Sequence, residues 1–317
     1  MQTMRRTVVG TRGLLMLLAA SLLAACGSSG GDAPVVKVDP QFEADQQQWR
    51  TQRYQDLIRA DGWTSLIGLH WLEGPAHWIG SGPGSGIRLS AGPARLGMLR
   101  REGMAVSFTP EAGVDVSVDG EPVRGRIPLH SDHDPQPTII AFDEGKGLLS
   151  LIRRGDRLAL RVKHADAVSR TAFTGIDYWP GGPDWAVDAT LIPAPPGRTL
   201  SIVDITGMSS ELPAGGTLQF QRDGVQYALE AIAEPGGELF VIFADRTSGH
   251  GSYPAARYID VPPAGADGRV KIDFNRAYNP PCAFTPYATC PLPPAENRLD
   301  LRVEAGEKNY RKPEETH

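Results

Sequence analysis

The sequence predicts a mainly β protein with one N-terminal helix and two β-rich units. Three observations predict it. Glycine (36 residues) and proline (27) are both abundant, which suits many strands joined by turns. Apolar residues follow a helical period in one stretch near the N-terminus, and short alternating runs recur through the rest. Turn sites that contain glycine come at hairpin spacing, among them Asp119-Gly120 and Asp223-Gly224. A chain of 317 residues is ample for a sizeable core.

Residues 1–25 read as a lipoprotein signal peptide rather than as part of the fold. Arg5, Arg6 and Arg12 precede an apolar run from Leu14 to Ala25, which is short for a membrane span. The run ends Leu23-Ala24-Ala25-Cys26, which resembles a bacterial lipobox, so Cys26 is expected to carry lipid. Gly27 after the cysteine points to the outer membrane, with the body facing the periplasm. Removing residues 1–25 takes away three arginines and no acid, which moves the formal charge from −5 to −8. So acidic a body argues against nucleic acid as a partner and leaves lipid, not charge, to hold it at the membrane. Residues 26–39 read as a flexible tether and residues 311–317 as a tail.

Residues 40–62 are expected to hold the helix. Phe42, Trp49, Tyr54, Leu57 and Ile58 make its apolar face, Asp61-Gly62 stops it, and Arg50, Arg53 and Arg59 face solvent. Residues 63–165 read as a β-sandwich. Val114, Val116 and Val118 alternate into the Asp119-Gly120 turn, and Leu148–Ile152 and Leu158–Val162 flank a turn at Arg153–Asp156. Residues 166–310 read as a second β-rich sandwich or barrel. Its strands are expected at 200–205, 217–221, 226–232, 239–244 and 269–274, with a last one at 299–303.

The stretch from Asp273 to Lys308 is the most distinctive. Pro280, Pro281, Pro286, Pro291, Pro293 and Pro294 exclude helix and central strand and stiffen the loop. Cys282 and Cys290 sit inside it. In an exported protein they are expected to form a disulfide closing a nine-residue loop, with free thiols and then a metal site as alternatives.

This stretch resembles the uncharacterised bacterial family called domain of unknown function 1684. The resemblance is carried by Asp273-Phe274-Asn275, Asn279-Pro280-Pro281-Cys282, Cys290 to Pro294, Glu296-Asn297 and Ala305 to Lys308. A weaker likeness runs back to Trp49 through residues 62–74, 153–163 and 248–258. The family supplies no mechanism. The first β unit also resembles the forkhead-associated fold, in residues 79–87, 116–123 and 153–162. Ser81 stands where that family reads phosphothreonine with arginine, so only the architecture carries over.

Candidate chemistry is spread over several runs. His130, Asp132, His133 and Asp134 are half of a metal-binding pattern in a polar loop. The glycine-rich stretch 80–86 lacks the Lys-Ser/Thr of a phosphate loop and reads as a hairpin connection. Outside the Gly/Ser-rich tether, where residues 27–31 match it by composition, there is no G-x-S-x-G, and there is no H-E-x-x-H. No cofactor and no metal is expected. In the polar run from Asp245 to Tyr258, His250 can serve as general base toward Ser248, Ser252 or a water.

Asp273 and Glu296 are the candidate carboxylates, and Arg257, Asn275, Asn279 and Asn297 the candidate ligand-binding residues, with Asp273 expected to pair with Arg257. Trp71, Trp78, Trp179, Trp185 and Tyr178 can line a sugar or peptide groove. Three functions compete: a lipid-anchored envelope module that binds a small polar or glycan ligand; a hydrolase using His250 with Asp273 or Glu296; and a structural envelope protein.

Overall fold

Asp39 and Pro40 start the helix. The Asp39 side chain accepts from Gln41 N at 2.9 Å, and proline at the first helical position has no N–H to leave unpaired. The computed structural model describes residues 39–311; the expected signal peptide, the lipid-bearing Cys26, the tether before Asp39 and the tail after Arg311 lie outside the described residues. No helix among the described residues is long and apolar enough to cross a membrane.

Helix α1 (Pro40–Ile58) turns a mixed stripe toward the body: Phe42, Gln46, Trp49, Arg50, Arg53 and Leu57 are buried or half-buried. Three expectations are corrected here, the first at Arg50, which is half-buried rather than facing solvent. Tyr54 is exposed. Arg53 is not solvated, because it carries an ion pair to the buried Glu307 at 2.8 Å. The helical spacing was right, but polar residues hold half of the packed stripe. Gln46 donates to Asp273 at 2.7 Å, and the Arg50 guanidinium lies 4.3 Å from the Tyr178 ring.

Eleven short strands follow: β1 (Leu66–Trp71), β2 (Ala76–Gly80), β3 (Ile87–Arg88), β4 (Gly97–Glu102), β5 (Ala105–Pro110), β6 (Val116–Val118), β7 (Glu121–Pro122), β8 (Ile127–Leu129), β9 (Ile139–Phe142), β10 (Gly147–Arg154) and β11 (Arg157–His164). They form a six-stranded sheet in the order β1-β11-β10-β9-β6-β7 and a five-stranded sheet in the order β3-β2-β4-β5-β8. Between the sheets lies one apolar core, which includes Ile79, Leu99, Phe108, Ile140, Phe142, Leu149 and Leu160. Asp119-Gly120 forms the expected tight turn, with positive φ at both residues.

A short helix α2 (Val168–Thr171) leads to the third sheet, made of β12 (Ala186–Pro193), β13 (Thr199–Val203), β14 (Ser209–Arg222), β15 (Val225–Ala233), β16 (Leu239–Phe243), β17 (Arg257–Val261) and β18 (Arg269–Asp273). Its order is β17-β16-β15-β14-β12-β18, with β13 on the first half of β14. The long β14 pairs with β13 along its first half and with β12 and β15 beyond a bulge between Ala214 and Gly216. Gly216 has φ +139°, and a Cβ there would stand 2.3 Å from the Ile192 carbonyl, so only glycine fits the bend.

The sheet curls until β17 and β18 approach each other. Its concave face is filled by Leu218, Phe220, Leu229, Val241, Phe243, Ile259 and Ile272 around Phe274. Phe274 meets the rings of Trp185, Phe220 and Phe243 at centroid distances of 6.2, 5.6 and 5.7 Å. The chain after Asp273 then crosses the curled sheet without forming a strand. This corrects the strand expected at 299–303. There the backbone bonds singly to the 244–246 segment and to a side chain: Leu299 N to Ala244 O, Arg246 N to Leu301 O, and Val303 N to the Asp245 carboxylate.

Candidate functional site

The site is built by two clamps on the C-terminal crossing, one to the segment after β16 and one to helix α1. The first is Asp245 with Arg257, both fully desolvated on their side chains. Asp245 accepts from Arg257 Nη2 at 2.9 Å, from the Thr247 N–H and hydroxyl at 2.9–3.1 Å, and from Val303 N at 2.8 Å. Arg257 also donates to the carbonyls of Val303 and Ala305 at 2.9 and 2.6 Å. Burial pulls the Arg257 pKa down, and the Asp245 charge and hydrogen bond oppose it. Arg257 therefore pairs with Asp245 and not, as expected, with Asp273. Asp273 sits at the end of β18 and accepts instead from Gln46 and from the backbone and side chain of Asn275, with Arg276 Nε 3.3 Å away as an ion pair.

The second clamp is Glu307. Its carboxylate takes Arg53 Nε at 2.8 Å and Asn279 N at 2.6 Å. Arg53 also reaches the Asn279 carbonyl at 2.9 Å and lies 4.7 Å from the Tyr278 ring.

Between the clamps the crossing runs beside residues 177–181. Lys308 N bonds to Asp177 O, Trp179 N to Gly306 O, and Asn309 N to Gly251 O, each at 2.8–2.9 Å. Trp179 Nε1 donates to the buried Ser252 Oγ at 2.9 Å, and Ser252 Oγ meets Thr247 Oγ1 at 2.7 Å. The indole lies along the Gly251 backbone, where a Cβ would stand 2.4 Å from the ring. The result is a cleft of about 320 Å³ lined by Asp177, Trp179, Gly249, Gly251, Ser252, Lys308, Asn309 and Arg311. The Lys308 ammonium stands 5.1 Å from the Trp179 ring centroid and forms no ion pair among the described residues. A depression of about 340 Å³ on the first β unit is no rival. Its Arg126 is already bonded to Ser107 and Glu102.

The sequence-predicted residues are not gathered at one point. His250 is exposed at a loop tip, with Nδ1 3.1 Å from Ser248 O, although its neighbours Gly249 and Gly251 line the cleft. Glu296 is exposed and makes no hydrogen bond among the described residues. His250, Asp273 and Glu296 share no hydrogen bond or ion pair, so no acid–base pair is assembled among them. Of the four expected ligand-binding residues, Arg257, Asn275, Asn279 and Asn297 are at most 2 % exposed. Most of their bonds go to backbone, Arg257 adding Asp245 and Asn275 adding Asp273, while Asn279 Oδ1 and Arg257 Nε are buried without a partner among the described residues. Asn275 takes both the N–H and the carbonyl of Gly182, Asn279 donates to Lys308 O, and Asn297 bridges Glu230 and Ile242 where β15 and β16 splay apart.

Cys282 and Cys290 are free thiols, not the expected disulfide; Cys290 Sγ accepts from Cys282 N at 3.0 Å. In the 130–134 run, Asp132 pairs with Arg154 and Asp134 caps Ser131. Among the described residues no three His, Cys, Asp or Glu side chains converge. The aromatics expected in one groove are dispersed, Trp71 under Arg157 and Trp185 under Arg222 for example. Sequence reasoning missed Asp177, Asn309 and Arg311 as lining. The available signal was Trp179 before Pro180-Gly181-Gly182, a rigid approach for a backbone that must pass close to another.

Buried phenols surround this region. Burial raises the pKa of Tyr258, Tyr278 and Tyr178 well above the ordinary tyrosine value. Below about pH 10 the tyrosines are protonated in folded and unfolded chains alike, so this stability is fully present. Above that value the unfolded chain loses phenolic protons that the folded one keeps. Stability is therefore expected to fall steadily as pH rises past 10. Urea melts between pH 8.5 and 11 test this, with the tyrosinate absorbance of these buried phenols appearing only together with unfolding.

These features define a curled-sheet β domain, closed by a proline-stiffened C-terminal crossing, with a polar cleft beside it. Residues 171–308 match the family described as a protein of unknown function, DUF1684, and this part of the chain is homologous to that family. The weaker likeness expected at 62–74 and 153–163 falls outside the matched residues. The solution NMR structure of an uncharacterized protein from Haloarcula marismortui is 35 % identical, covering 44 % of this chain and 78 % of that one, with a TM-score of 0.37. No curated protein matches.

Proposed function

We propose that this chain is an envelope protein, lipid-anchored through Cys26 at the outer membrane, whose curled-sheet domain binds a small anionic, hydroxylated ligand in the Trp179 cleft. A carboxylated or phosphorylated sugar has this chemistry. One observation supports the reading: the Lys308 ammonium stands over an indole and forms no ion pair among the described residues, Asp177 on the same cleft included. A lysine so placed supplies a point charge and three rotatable donors for an anion. The exposed Asn309 amide and the glycine backbone of 249–251 supply further polar contacts, and Trp179 an apolar wall. The first β unit, with its forkhead-associated-like layout, serves here as scaffold and not as a phosphopeptide reader.

The test uses the full-length chain in detergent, with thermal shift followed by calorimetry. Glucuronate and glucose 6-phosphate are expected to raise the melting temperature, and glucose to raise it much less. Lys308→Gln, at a half-buried position outside both clamps, is expected to keep the fold and weaken anion binding by about tenfold or more. Unchanged affinity in that variant, or no shift with either anion at millimolar concentration, overturns the reading.

A further inference from the structure

We infer that Cys282 and Cys290 are a redox-active dithiol, in which Cys282 attacks a small disulfide and Cys290 resolves the mixed disulfide that forms. The inference does not depend on the cleft. The two thiols lie at opposite ends of a loop whose flanks, Pro280, Pro281 and Pro291, hold it in one shape. Cys290 is 3 % exposed and packs with Leu66 and Ala288, while Cys282 is only half-buried against the same cluster. The Cys290 sulfur accepts from the Cys282 N–H at 3.0 Å, which brings the two side chains together without bonding them.

The surroundings divide the roles. The hydrogen bond between the thiols holds Cys282 below its ordinary range and, with burial, pushes Cys290 up. The Tyr253 hydroxyl also favours the Cys282 thiolate. Arg161 on β11, whose buried Nε has no hydrogen-bond partner, is near enough to Cys290 for their charges to interact. Cys282 is thus the accessible sulfur with more thiolate character, as an attacking thiol needs, and Cys290 the shielded partner.

With oxidised glutathione as the disulfide, the steps balance. The Cys282 thiolate attacks one glutathione sulfur, the glutathione S–S bond breaks, and one glutathione leaves with the proton Cys282 released. Cys290 then gives up its proton and attacks the Cys282 sulfur, and the second glutathione leaves with that proton. Two electrons pass from the protein dithiol to glutathione, giving one protein disulfide and two glutathione thiols.

Peptide mass mapping of the full-length chain after exposure to oxidised glutathione tests this. The wild type is expected to yield the 282 and 290 peptides cross-linked, with no retained glutathione. Cys290→Ser is expected to keep glutathione on Cys282. Cys282→Ser is expected to react at Cys290 at least about tenfold more slowly than Cys290→Ser reacts at Cys282. Should a variant fold poorly, alkylation of the reduced wild type gives the same ordering, with Cys282 labelled at least about tenfold faster. Two free thiols after a large excess of oxidant, or equal reactivity at the two positions, overturns the inference.

Discussion

Asp245→Ala is expected to cost about 3–5 kcal/mol of folding stability, a large share of the roughly 5–15 kcal/mol that a domain possesses. The loss comes from what the aspartate leaves behind. Arg257 would keep a buried guanidinium with no counter-charge, and the N–H groups of Thr247 and Val303 would lose their acceptor. An uncompensated buried charge is more costly than the net worth of the pair that held it. The double variant Asp245→Ala with Arg257→Met is therefore expected to recover part of the loss, because the charge is gone from both sides. Urea melts followed by tryptophan fluorescence separate the cases. A single-variant loss under about 1 kcal/mol would mean that water reaches the Arg257 site, and the first clamp would fail as an account of how the crossing is held.

The sequence made the strands legible where one face is buried and the other is wet. Residues 148–152 and 158–162 flank one turn and pair as expected. The Asp223-Gly224 turn was equally readable, since only a left-handed pair closes that hairpin. What stayed hidden was the destination of polar side chains. Arg53 and Arg257 look alike in sequence to Arg59, yet two are desolvated ion pairs and one is exposed. The acids, amides and arginines of the C-terminal segment were legible as its polar residues, though they are not gathered at one point. Their task was not, because a buried amide bonded to backbone and a ligand-binding amide have the same one-letter code. Asn297 shows why. It substitutes for missing ladder bonds between β15 and β16, a gap that no local pattern announces. The strand expected at 299–303 fails for a related reason: the carboxylate of Asp245 supplies the acceptor that a neighbouring strand would have supplied.

Arg53→Ala is expected to destabilise the protein by a similar amount, about 3–5 kcal/mol, but through a different element. Glu307 is fully buried, and Arg53 is its only cationic partner in hydrogen-bond contact among the described residues. Burial works against the charge on Arg53, and the Glu307 carboxylate more than offsets it, raising the arginine pKa overall. Without the guanidinium, Glu307 retains only the Asn279 N–H. Arg53→Lys is expected to lose less, since a lysine keeps the charge but cannot serve Glu307 and the Asn279 carbonyl with one rigid fork. Helix α1 should respond first, because it meets the body largely through polar contacts: Gln46 to Asp273, Arg50 over Tyr178, and Arg53 itself. Hydrogen exchange then distinguishes local undocking from global loss. In Arg53→Ala the amides of α1 should exchange faster than those of β10 and β11, which remain protected until the whole body opens. Unchanged protection of α1 would transfer its docking to Leu57 and Phe42, and the second clamp would hold only the crossing and not the helix.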